Sequence, residues 1–285
     1  MLEFRPLRRS EDMTPVVRDV EISKYAEAVL KDYMPEQLER PKRLDVYKFA
    51  EQYLGSNIEI LNIYTDSQDD FIAGAAVFNP QKVKIFNKEQ LSTDIIMVPG
   101  NTILIDEQIT GRMKKGFEYF TVMHEAGHLM MHKEVYQKMA ERRFFVYGNP
   151  EGSWGVNSAL CMRSNIGNGN KLATSLDFRE HQANTFAASM LMPPRVFIPY
   201  VQHLIGILKY IDGEFIIYER GVTDCTRGMI YEKIVRETAR HFGVSEQAVK
   251  VQLKKYGLHA LANEDSIYEA KRRLKLYHSL WAYKR

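Results

Sequence analysis

Residues 117–132 read FEYFTVMHEAGHLMMH, and the spacing inside this stretch points to both a helix and a metal ion. His124 and His128 are four apart, so on a helix they share one face with their rings about one turn apart, which suits two ligands of one zinc ion. Glu125, beside the first histidine, is then placed to take a proton from an ion-activated water. The alternative is a helix carrying two surface histidines. The flanks oppose it, because they are too apolar for a solvated face and buried imidazoles must be satisfied, which one shared cation does for both.

A catalytic zinc site uses three protein ligands and keeps a fourth position open. His132 lies on the same helix face, but eight residues of helix rise about 12 Å, too far for its ring to reach the same ion. His132 therefore reads as a packed or exposed histidine at the helix end. The better third ligand lies 52 residues after His128, in REHQANTFAASMLMPP (179–194). Ala183, Phe186, Ala187, Met190 and Leu191 form an apolar stripe at spacings of three and four, and Glu180 falls on that stripe. A carboxylate pointing inward should be paired or bound to a metal. A capping role for Glu180, in a box with Asp177 near the helix start, is the competing reading. Asn184, one turn further on, is placed to hydrogen-bond a ligating histidine. His181 points away and is expected to be exposed. Cys161 falls in a Gly/Asn-rich stretch and reads as a small buried thiol.

These residues carry a family resemblance. HEAGH preceded by Phe120-Thr121, then Glu180, Ala183-Asn184, Phe186-Ala187 and Leu191-Met192-Pro193, resembles the ImmA/IrrE family of metallopeptidases. NTILIDEQIT (101–110) and VRETARHFGVSEQAVKVQLKKYGL (235–258) are similar to the family as well, and the resemblance spans about residues 43–260. It implies a zincin-like metallopeptidase core of the gluzincin type. Zinc would be held by His124, His128 and Glu180, with Glu125 as general base. It also implies a protein substrate, a helix-turn-helix transcriptional repressor whose cleavage relieves repression. Two imidazoles and a carboxylate suit zinc, with another divalent metal as the alternative.

Outward from this centre, residues 20–33 place Ile22, Tyr25, Ala26, Val29, Leu30 and Tyr33 at helical spacing, and a second helix is predicted over 45–54 between Asp45 and Gly55. Short apolar runs come next: NIEILNIY (57–64), AGAAVF (73–78), VKIF (83–86) and NTILID (101–106). Asp, Asn, Gly and Pro separate them, as in a small β-sheet. The strand near 102–106 is a candidate to pair with an extended substrate segment. Residues 145–176, rich in Gly, Asn and Ser, read as a long loop, and the rest as mostly helical with a break at 212–229. Helices, then strands, then helices argue for an α+β fold. The expected organisation is an N-terminal helical segment (1–55), a peptidase core (56–200), a helical C-terminal region (201–263) and a basic tail (264–285).

Residues 235–258 also carry Ala239, Gly243 and Val249 at helix-turn-helix spacing, with Ser245 placed to cap the second helix. Gln252 falls where that pattern wants an apolar residue. Lys250, Lys254 and Lys255 offer a basic face to phosphate, so direct nucleic-acid binding is an alternative, less favoured than two helices bracing the core. The corresponding functional alternative is a DNA-binding or scaffolding regulator whose metal is structural.

Composition sets the outer bounds. The 285 residues carry 39 Lys+Arg against 36 Asp+Glu, a formal charge of +3, too small to argue for nucleic acid by itself. Residues 271–285 hold six Lys/Arg and no acid, so the other 270 sum to three negative charges. Two cysteines, Cys161 and Cys225, exclude a disulfide framework. No apolar run approaches the ~20 residues a bilayer span needs, and the N-terminus has no signal-peptide core, so a cytoplasmic protein with no membrane partner is expected.

Overall fold

The computed structural model describes residues 1–40, 42–65, 71–111, 115–147, 157–162, 172–211 and 224–257. The basic tail expected over 264–285, and most of the stretch expected as a loop over 145–176, lie outside them. The fold is α+β. The chain divides into two compact units, Met1–Leu38 with Leu44–Pro193, and Glu39–Arg43 with Pro194–Arg285. The helix predicted over 20–33 falls in the first unit, whose last residue is Pro193.

A four-stranded mixed sheet forms the floor of the first unit. Its strands are β1 (Asn57–Leu61), β2 (Ile72–Val77), β5 (Thr102–Asp106) and β6 (Ser158–Met162), in the order β1-β5-β2-β6. β1 and β5 run parallel, and β2 is antiparallel to both of its neighbours. The sequence of β2, IAGAAV, is buried throughout, as a strand covered on both faces should be. Ile72, Ala75 and Val77 pack with Val83, Val98 and Leu104 in one cluster, while Ala76 packs with Val135, Tyr136 and Ala159 in another.

β3 (Gln81–Asn87) and β4 (Ser92–Val98) form a separate antiparallel pair. In β3, Gln81 and Val83 are buried while Lys82 and Lys84 are exposed, the alternation of a half-covered strand. Two features differ from the sequence expectation. β6 lies inside the stretch expected to be loop, held there by its ladder to β2. β5 sits between β1 and β2 with both edges paired, so it has no free edge for a substrate strand.

Helix α1 (Asp19–Tyr33) buries Ile22, Ala26, Val29 and Leu30, residues at the period of one helix face. That face packs on α5 (Ser175–Leu191), where Ser23 and Ser189 hydroxyls meet at 2.9 Å and the Tyr25 and Phe186 rings at 5.9 Å. The helix expected over 45–54 is a short α2 (Val46–Lys48), capped by Asp45, that widens into a π-helical turn at Phe49–Tyr53. Gly55, at φ +63°, ends it in a conformation that glycine adopts readily. Helices α3 (Lys115–Met131) and α4 (Lys133–Tyr147) come after the sheet strand β5.

The second unit contains α6 (Pro194–Ile211), α7 (Asp224–Phe242) and α8 (Glu246–Lys255). Ser245 caps α8 by accepting the Ala248 amide at 3.1 Å, and Gly243 makes the turn at φ +69°. Ala239, Phe242, Val249 and Leu253 are buried between the helices, and Gln252 is buried beside them despite its polarity. Lys250 is bonded to Glu232 at 2.7 Å. Among the described residues no helix is long and apolar enough to cross a membrane.

Candidate metal centre

α3 lies across the sheet with the HEAGH segment inward, and α5 packs alongside it. His124, Glu125 and His128 are completely buried, and Glu180 is 8% exposed. The Nε2 atoms of His124 and His128 face each other at 3.1 Å. Glu180 Oε2 lies 3.3 Å from His124 Nε2, and Glu180 Oε1 lies 3.2 Å from His128 Nε2. Each of the three residues offers one ligand atom, and these lie within 4.8 Å of one another.

The position of Glu180 follows from how α5 begins. Thr174 is the N-cap, accepting the Asp177 amide, while Asp177 Oδ2 accepts the Thr174 amide at 2.7 Å. Thr174 and Asp177 thus complete the capping box between them. Glu180, a turn further on, is no cap and points at the two imidazoles.

Three observations fit this pocket to a divalent cation. Both oxygens of Glu180 are buried and, although within ion-pair distance of the rings, neither makes a hydrogen bond. Two buried ring nitrogens confront each other beside that carboxylate, an arrangement that a shared positive charge satisfies. The remote nitrogens are occupied, since His124 Nδ1 lies 2.9 Å from Asn184 Oδ1 and His128 Nδ1 lies 3.0 Å from His132 Nδ1. Asn184 therefore stands where helical spacing puts it, against a ligand candidate.

Of the two places open to His132, packed or exposed, the structure has the first: it is fully buried and outside the ligand cluster. Its Nε2 lies 2.9 Å from Gln182 Oε1. Sequence spacing does not mark Gln182 as part of the site. Only its position two residues after Glu180 points that way, and its partner Pro15 is 167 positions distant. His181 turns outward and meets Asp19 at 2.7 Å. Arg179 is buried against the N-terminal segment, donating to Asp12 at 3.0 Å and Thr14 at 2.9 Å.

Electrostatics separate the carboxylates. Burial opposes the charge on Glu180, but His128 and His124 outweigh it and hold its pKa well below the usual carboxylate range. Burial pushes Glu125 the other way, to about 8, with His124 opposing and Glu180 adding to the rise. Both Glu125 oxygens lack a hydrogen-bond partner. Oε1 lies over Gly74 of β2, where a Cβ would stand 3.2 Å from it and 2.7 Å from Thr121 Cγ2. Cys161 of β6 is buried, and burial pushes its thiol to about 12. Its sulfur lies with ligand atoms of His124 and Glu125 within 4.8 Å, so the residue expected in a loop belongs to a strand that lines the site.

No protein-family model matches this sequence, and no curated protein matches it. A solved structure of a Mycobacterium tuberculosis transcriptional regulator aligns with 82% of this chain and 46% of its own, at 13% identity and a TM-score of 0.39. The chain spans about half the length of that protein.

Proposed function

We propose that this protein is a zinc-dependent endopeptidase with a zincin-like core, and that its substrate is a helix-turn-helix repressor. The observation that carries the reading is the convergence of His124, His128 and Glu180 in a buried pocket beside an unpartnered Glu125. The resemblance of HEAGH and the 180–193 stretch to ImmA/IrrE metallopeptidases supplies the substrate class.

His124 and His128 would hold the ion through Nε2, with Glu180 as third ligand, leaving a position open as catalytic sites require. Zinc bound there would polarise the scissile carbonyl and make a water acidic enough to attack at neutral pH. Glu125 would take the proton from that water and return it to the leaving amine. A carboxyl whose pKa lies near the working pH suits a group that must both accept and release a proton. A purely structural site would need no such base. An extended substrate segment would add as a strand on β6, the outer strand beside the site among the described residues, rather than on β5.

Replacing Glu125 with Gln tests the reading. The E125Q protein should bind zinc as the unaltered protein does and cleave a candidate repressor about 10²–10⁴-fold more slowly; undiminished cleavage removes Glu125 from the mechanism. The second reading, a DNA-binding regulator with a structural metal, draws on the capped α7–α8 corner and on Lys254 and Lys255. It predicts promoter binding that weakens steeply with salt. Absence of binding at low salt eliminates it.

A further inference from the structure

Two buried imidazoles joined Nδ1 to Nδ1 share one proton, and the surroundings decide which ring owns it. His128 Nδ1 and His132 Nδ1 are 3.0 Å apart. From His132 the contacts run outward: Nε2 meets Gln182 Oε1 at 2.9 Å, and Gln182 Nε2 donates to the Pro15 carbonyl at 2.7 Å. A carbonyl oxygen only accepts, so Pro15 fixes the orientation of the Gln182 amide. Its NH2 faces Pro15 and its oxygen faces His132. His132 Nε2 must therefore carry hydrogen.

His132 is completely buried, and both its ring nitrogens face neutral groups. With an imidazole on one side and an amide oxygen on the other, the buried ring has no carboxylate in contact to balance a second proton. Its Nδ1 is therefore a bare lone pair that accepts from His128 Nδ1–H. His128 is left with a lone pair on Nε2, the atom that faces His124 and Glu180.

We infer that His132 and Gln182 are positioning residues: with the Pro15 carbonyl as anchor they fix the tautomer of His128 and present its Nε2 lone pair to the cation. The relay makes the N-terminal segment part of the centre. Arg179 holds that segment against α5 through Asp12 and Thr14, and the Arg9–Pro15 bridge closes its turn. A direction set at residue 15 thus reaches a nitrogen on α3 through three hydrogen bonds. The effect on metal affinity rests on the metal reading of the site; the tautomer assignment does not.

Two measurements on the full chain test this. Histidine nitrogen NMR of the metal-free protein at mildly alkaline pH should find His128 protonated on Nδ1 and His132 on Nε2. His128 protonated on Nε2 in the unaltered protein would overturn the relay, whatever the protein binds. Zinc titration against a competing chelator should show H132L binding about 10–100-fold more weakly. H132N, whose amide oxygen can accept in place of Nδ1, should recover most of that loss, and Q182L should weaken binding in the same direction as H132L. Unchanged affinity in folded Q182L would overturn the proposal even if H132L fails to fold. If the unaltered protein binds no zinc, the metal reading fails and the NMR result alone decides the relay.

Discussion

Gly127 of α3 lies so close to Phe186 of α5 that a Cβ on the glycine would stand 3.0 Å from the ring's Cδ1 and 3.4 Å from the Ala183 Cα. This approach lets α5 bring Glu180 within reach of histidines on α3. A larger residue must displace the Phe186 ring or α5 itself. G127V should therefore destabilise the protein by about 1–3 kcal/mol, read from the urea midpoint, and on the proposed reading should lower its zinc content in the same preparation. Full stability with full zinc content would show that the close approach is dispensable.

Gly74 plays the matching part on the sheet side. A methyl there meets Thr121 Cγ2 at 2.7 Å and the Leu104 carbonyl at 3.0 Å. G74A should be destabilising, and T121S, which removes the crowded methyl, should partly rescue it. A double-mutant cycle measures this, with a coupling of about 0.5–3 kcal/mol expected for residues in contact. Additive effects would mean that the strand shifts instead.

Asp106, at the end of β5, is completely buried. Burial raises its pKa, while the Gln108 and Ile63 amides that it accepts, each at 2.8 Å, work against the rise. An asparagine offers one acceptor oxygen and confronts the second amide with its own NH2. D106N should cost about 1–3 kcal/mol, measured by denaturant unfolding. A neutral result would mean that one of the two bonds contributes little.

Cys161 should resist modification. Its thiol is buried and its pKa is pushed to about 12, so little thiolate exists at neutral pH. In a C225S background, a thiol reagent should label Cys161 only as the protein unfolds, followed by mass spectrometry. Rapid labelling of the folded protein would show that β6 opens.

The parts of the site legible in the sequence are those set by helical spacing. His124 and His128 four apart, and Glu180 on the apolar stripe of α5, each follow from one helix's periodicity. Asn184 is one turn from Glu180 and is legible in the same way. What escapes is what long-range pairing decides. SALCM is too short to declare itself a strand inside a polar stretch, and only its ladder to β2 makes it one. The central place of β5 depends on β1 joining it in parallel, which local patterning does not encode. Gln182 and Pro15 meet across 167 positions, beyond any spacing argument. The capping box is closer to hand: Thr174 and Asp177 stand at the right separation, but an acidic residue further along the same turn competes for the role.

On the proposed reading, three side chains from two helices form one metal centre. Zinc per chain, measured by elemental analysis after dialysis against trace metal, tests this without any knowledge of the substrate. One ion per chain is expected in the unaltered protein and in E125Q, and well under one in E180A. A full complement of zinc in E180A, or none in the unaltered protein, would contradict it.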